Sequence, residues 1–161
     1  MADTRIVVVG ARGAGKQALL DGLCGHLGGT AMDEASAQVT LPGGEALQVR
    51  CLAGAITPTS LAGADGVLAL VDAAADDAQA QLQACMALLS GPAAALPAVL
   101  GISRMDLHPD WDMAATMAAL AQAGHALPVV PFDARDPAQG LMLLDVLVSQ
   151  IETDGLVPGT P

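Results

Sequence analysis

Aromatic side chains are almost missing from this 161-residue chain, which has one Phe, one Trp and no Tyr. With 53% hydrophobic residues, its core must therefore be built from Ala, Leu, Val and Met. Basic residues are scarce as well: six Lys and Arg stand against 17 Asp and Glu, for a net charge of −11. Binding to nucleic acid by phosphate neutralisation needs a basic face that six scattered cations cannot make, and an anionic membrane surface is disfavoured for the same reason. A compact anion held by backbone N–H groups remains open, because that mode needs few cationic side chains. Cys24, Cys51 and Cys85 are odd in number, lack CxxC spacing and sit in apolar segments, so they read as buried reduced thiols of a cytoplasmic protein. His26, His108 and His125 have no i, i+4 pairing and no neighbouring Cys, which argues against zinc. No run of about 18 apolar residues is free of charge or turn signals, so no membrane-inserted helix is expected. The start of the chain enters a strand without the layout of a secretory leader, and its end carries neither a prenylation Cys nor a polybasic stretch.

What is present is an alternation of strands and helices. Residues 5–9 form a short β-branched run closed by Gly10, and 66–71, 97–103 and 127–132 are further apolar runs that read as buried parallel strands. Leu19, Leu20, Leu23 and Leu27 recur at helical spacing within 15–27. Helices are also expected over 76–89, over 112–123 up to Gly124, and from Pro137 to about 152. Residues 37–41 and 46–52 flank Pro42-Gly43-Gly44-Glu45 and read as a hairpin. The stretch 30–35 is polar and small and reads as a mobile loop, and 53–64 as loop or one short helical turn. The expected fold is α/β: a three-layer α/β/α domain with a mostly parallel six-stranded sheet and one antiparallel edge strand from the hairpin. One domain would span 1–152, with 153–161 a flexible tail and no internal repeat.

Gly10-Ala11-Arg12-Gly13-Ala14-Gly15-Lys16 fits GxxxxGK and lies between a strand and a helix, the context that a phosphate-binding P-loop requires. Glycines let the backbone wrap a phosphate with its N–H groups pointing inward, the helix N-terminus adds partial positive charge, and Lys16 would reach the outer phosphates. A glycine-rich turn that binds nothing is the bland alternative. Gln17 stands where P-loop proteins place a Ser or Thr hydroxyl on Mg²⁺, and Ala18 does not restore one.

The GARGAGKQALL segment and the order of elements resemble the Ras-like small GTPases over nearly the whole chain. That resemblance implies a P-loop NTPase domain binding GTP or GDP. Nucleotide would lie against Gly10, Arg12, Gly13, Ala14, Gly15, Lys16, Gln17 and Ala18 of the first motif. The base-reading NKxD motif corresponds to Ser103-Arg104-Met105-Asp106, followed by Leu107, and SAK to Asp133-Ala134-Arg135. In these roles Asp106 accepts from guanine N1 and N2, the Arg104 stem stacks on the base and the Ala134 N–H meets the base oxygen, while Ser103 is too short for the bridging bond of Asn. The family's DxxG has no counterpart, since the strand ends Arg50-Cys51-Leu52-Ala53-Gly54-Ala55 without an Asp, and no Gln follows to orient a water. Thr30 and Thr40 are the candidates for the Thr of the first switch. Arg12 crowds the approach of a hydrolytic water, or alternatively serves as a charge on the γ-phosphate. No catalytic residue and no metal ligand is therefore expected, and Mg²⁺ binding is doubtful because Gln17 replaces Ser or Thr. The stretches GISRMDL and PVVPFDARDPAQGLMLLDVLVSQI look like a bacterial branch of Ras-like proteins often found with roadblock-fold partners; the GTPases of bacterial microcompartments are the next nearest. The function implied is a guanine-nucleotide-binding regulator with weak or absent hydrolysis and a protein partner. A pseudo-GTPase scaffold that binds no nucleotide is the competing reading, whereas a small P-loop kinase would need a lid-like Arg pair that the chain lacks.

Overall fold

The computed structural model describes residues 4–10, 15–27, 30–33, 36–41, 43–44, 46–52, 59–91, 96–107, 110–125, 127–133 and 135–156. In chain order these form β1 (Thr4–Gly10), α1 (Lys16–Leu27), β2 (Thr30–Asp33), β3 (Ser36–Thr40), β4 (Ala46–Cys51), β5 (Gly66–Asp72), α2 (Ala78–Ser90), β6 (Ala98–Ser103), a 3₁₀ turn (Met105–Leu107), α3 (Met113–Gln122), β7 (Val129–Phe132) and α4 (Pro137–Leu156). The strands lie in the order β2-β3-β4-β1-β5-β6-β7. β1, β4, β5, β6 and β7 run parallel, and β3 is antiparallel to both of its neighbours.

The period of two along β1 explains the three layers. Ile6 and Val8 pack with Leu19, Leu20 and Leu23 of α1 and with Leu143, Leu144 and Leu147 of α4. Val7 and Val9 point the other way, onto Leu82, Cys85 and Leu89 of α2 and Leu120 of α3. Covered on both faces, β5 and β6 are buried at every position, which is why they read as unbroken apolar runs rather than alternating ones. Gly101 of β6 makes room for the ring that ends the sheet: a Cβ there would lie 3.0 Å from both Phe132 Cε1 and Leu70 Cδ2. The hairpin turns as its sequence demands, with Gly44 at φ +94° and its N–H donating to the Leu41 carbonyl at 2.8 Å. Asp112 caps α3 by accepting from the Ala115 N–H at 2.9 Å, and Gly124, at φ +87°, follows its end. α4 starts where Pro137 allows, behind Asp136, whose carboxylate accepts from the Ala138 N–H at 3.0 Å.

Three sequence expectations change. The sheet has seven strands, because 30–33 is a strand rather than a loop: Thr30 pairs with Gln38 and Ala31 with Ala37, with a bulge before Asp33. This pairing answers the backbone groups of β3, which would otherwise form an exposed edge, and needs no apolar pattern of its own. The hairpin strand β3 is consequently interior and β2 is the edge. α4 also continues four residues past 152, to Leu156, since nothing in Glu152-Thr153-Asp154 breaks a helix. Residues 157–161 lie outside the described ones, as do 53–58 of the expected loop; 59–63 turn, with the Ala62 N–H on the Thr59 carbonyl at 3.2 Å. Among the described residues no helix is long and apolar enough to cross a membrane.

Candidate functional site

Parallel strands bring their C-terminal ends to one edge, and in such sheets ligands bind there, where the chain leaves one strand for opposite sides. β1 is that strand, paired with β4 through Val8↔Cys51 and with β5 through Gly10↔Leu70. Beyond them along the same edge come Asp72, Ser103 and Phe132, aligned by the pairings Asp72↔Ser103 and Ser103↔Phe132. The register thus gathers the ends of β1, β5, β6 and β7, far apart in the chain, on one rim of the sheet.

At β1, the turn into α1 closes on Gly15, whose φ of +104° is open to glycine at little strain, and the Gly15 carbonyl accepts the first helical bond from Leu19 N–H at 2.9 Å. Lys16 is half-buried and its Nζ donates to the Gly10 carbonyl at 2.6 Å, spanning the two ends of the loop. Among the described residues no carboxylate pairs with this ammonium, in a chain rich in acids. Its charge is felt by two thiols: burial pushes Cys51 and Cys85 up to about 11, and Lys16 partly offsets both. Ala11, Arg12, Gly13 and Ala14 lie outside the described residues, as do Ala53, Gly54 and Ala134. Gln17 is exposed, and its amide nitrogen donates to Asp21 Oδ1 at 2.9 Å, one turn along α1; Ala18 is exposed beside it. Thr40 pairs with Ala46 at the start of β4, the edge opposite to Gly10, so it is not a candidate for a ligand contact. The backbone of Thr30 lies in β2.

At the other end of the rim, Ser103 is buried and its hydroxyl donates to the Val71 carbonyl at 3.3 Å. Arg104 adopts φ +56°, the only positive φ outside glycine among the described residues. Its guanidinium forks onto Asp72: Nε donates to Oδ1 at 2.8 Å and Nη2 to Oδ2. That bond is the main reason the guanidinium holds its proton above its ordinary range. Asp106 is exposed on the 3₁₀ turn, which the Leu107 N–H fastens to the Arg104 carbonyl at 3.1 Å. Leu107 is 62% exposed. Arg135 folds back on Asp133, with backbone N, Nε and Nη2 reaching the carboxylate at 2.9, 3.0 and 3.1 Å, which holds the Asp133 carboxyl below its usual range. The Asp133 bond is likewise the main reason the Arg135 guanidinium holds its proton above its ordinary range, with Asp106 a smaller electrostatic contribution to both arginines.

Two participants went unread in the sequence. Asp72 ends β5 with 4% of its side chain exposed, and Gln81 of α2 braces it, its Oε1 accepting the Asp72 N–H at 2.9 Å. The available signal was an acid terminating the all-apolar run VLALVD at the ligand edge. Among the described residues, the Gln17 amide nitrogen donates to Asp21, the Asp72 oxygens are held by Arg104 and the Ala74 N–H, and no group of three His, Cys, Asp or Glu is placed to hold a metal ion. An apolar recess bordered by Met117, Leu120, Leu127 and Val129 opens at the start of β7, the opposite edge of the sheet, and is separate from this rim. No protein-family model matches this chain, and no curated protein does.

Proposed function

We propose that this chain is a guanine-nucleotide-binding regulatory protein of small-GTPase type, cytoplasmic, with little or no GTP hydrolysis. The observation that carries the reading is Lys16: a half-buried ammonium at the end of β1 and the start of α1, bonded to a loop carbonyl and to no described carboxylate, in a chain of net charge −11. Such a cation beside a helix N-terminus and a glycine-rich turn is a seat for phosphate. The base end is supplied by Asp106, an exposed carboxylate on the turn that follows Arg104, which accepts from the guanine N1 and N2 hydrogens that adenine lacks. With no Gln after the fourth strand to orient a water, the nucleotide acts as a ligand that selects a conformation for a protein partner, for which a roadblock-fold regulator is the resemblance-based candidate. The competing scaffold reading has its own support, since Gln17 and Arg135 are satisfied internally by Asp21 and Asp133.

Thermal denaturation with GDP separates the two. With a dissociation constant on the order of 10 μM, 1 mM GDP stabilises the fold by about 2.7 kcal/mol, which raises Tm by about 5–10 °C for a domain of this size. No shift with GDP or GTP favours the scaffold.

A further inference from the structure

We infer that Asp72 is the positioning residue of the base-reading segment, fixing Arg104 and the turn that carries Asp106 and thereby setting guanine selectivity. The inference rests on the nucleotide reading above. A carboxylate with 4% of its side chain exposed, at the end of a strand buried throughout, demands compensation. The carboxylate receives it from two partners: Oδ1 accepts the Ala74 N–H at 3.0 Å, and both oxygens take the Arg104 fork. The backbone N–H of Asp72 is held separately, by Gln81 Oε1 at 2.9 Å. Gln81 in turn donates from its amide nitrogen to Asp77 Oδ1 at 2.8 Å, so the backbone of Asp72 is tied to α2.

The consequence falls on Arg104. A non-glycine residue at φ +56° persists only where its surroundings over-determine it, and the planar two-pronged pair supplies that constraint. The turn Met105–Leu107 hangs from the Arg104 carbonyl through the Leu107 N–H. The orientation of Asp106 is thus passed along the route Gln81, Asp72, Arg104, turn. Half of the Arg104 side chain stays exposed, leaving its stem free to lie against a base while its head is held. Asp72 touches neither base nor phosphate in this scheme and acts only through Arg104.

The test uses the full chain in EDTA, titrated with GDP, ADP and inorganic pyrophosphate. Wild type should prefer GDP over ADP by about 10–100-fold. Asp72→Asn removes the charge at the same shape, and Arg104→Lys keeps a cation and a stem but cannot form the fork. Each should bring the preference below about threefold while pyrophosphate affinity stays within about twofold. The double variant should lose no more than either single one, since the two side chains act as a unit. Full preference in either variant, with a cooperative melt proving it folded, overturns the inference and leaves the nucleotide reading standing; if Asp72→Asn does not fold, Arg104→Lys decides. A wild type that binds GDP and ADP equally overturns the inference and the guanine half of the nucleotide reading; one that binds neither overturns both entirely.

Discussion

Replacing Lys16 by Met keeps an unbranched apolar stem of similar length and removes the charged head. In the free protein that head donates, among the described residues, one part-buried bond, to the Gly10 carbonyl at 2.6 Å. The net contribution of such a bond is about 0.5–1.5 kcal/mol, which lowers Tm by about 1–6 °C in a domain of this size. With nucleotide bound, the same ammonium faces phosphate oxygens, and a charge-assisted contact there contributes about 2–3 kcal/mol, or roughly a 30–150-fold loss of GDP affinity in Lys16→Met. Calorimetry of GDP binding and melting of the unliganded protein read the two effects separately. Salt adds a further check: wild-type affinity should fall as ionic strength rises, and the variant should be less salt-dependent, because one of the few cations near the ligand is gone. A variant that melts like wild type and binds GDP equally well would refute Lys16 as the phosphate ligand.

Asp106→Asn exchanges an acceptor for a donor at the guanine edge; GDP affinity should fall by about tenfold or more, while xanthosine diphosphate binds better than it does to wild type, and unchanged GDP affinity would show that Asp106 does not read the base. Hydrolysis by the isolated chain should stay below about 10⁻⁴ s⁻¹ in single-turnover phosphate release, and EDTA should shift nucleotide affinity by less than about twofold; EDTA-sensitive turnover would mean that an oxygen donor for Mg²⁺ exists near Lys16. The thiols give a pH signature. Burial lifts Cys51 and Cys85 from an ordinary 9.0 to about 11, so the folded state holds these protons more tightly than the unfolded state does, and stability should be flat below pH 9 and fall as pH rises from there through 11. At pH 8 their thiolate fraction is on the order of 10⁻³, and iodoacetamide should modify them far more slowly in the native than in the unfolded protein.

The sequence carried those features whose cause is local. β5 and β6 are apolar from end to end because both faces are covered, the Leu spacing of α1 follows one buried stripe, and Gly44, Asp112 and Pro137 mark turns and helix starts by their own backbone or side-chain chemistry. Features whose cause is distant were not legible. β2 forms because β3 offers unpaired backbone groups, a property no side chain in Thr30-Ala31-Met32-Asp33 displays. Asp72 and Arg104 are 32 residues apart, and only the β5–β6 register brings them together; Arg104 was therefore read for its stem, while the structure gives its head to Asp72. The pair Asp133 and Arg135 is local, two residues apart, and its spacing alone allows the fork that the structure shows.

The central claim is that this rim binds a guanine nucleotide through Lys16 at one end and Asp106 at the other, without Mg²⁺. Calorimetric titration of the purified full chain with GDP, beside ATP and in the presence of EDTA, tests it most directly. One GDP should bind per chain at micromolar or weaker affinity, with ATP weaker by about 10–100-fold. No heat from either nucleotide at millimolar concentration would contradict the claim, and equal affinity for both would remove its guanine half.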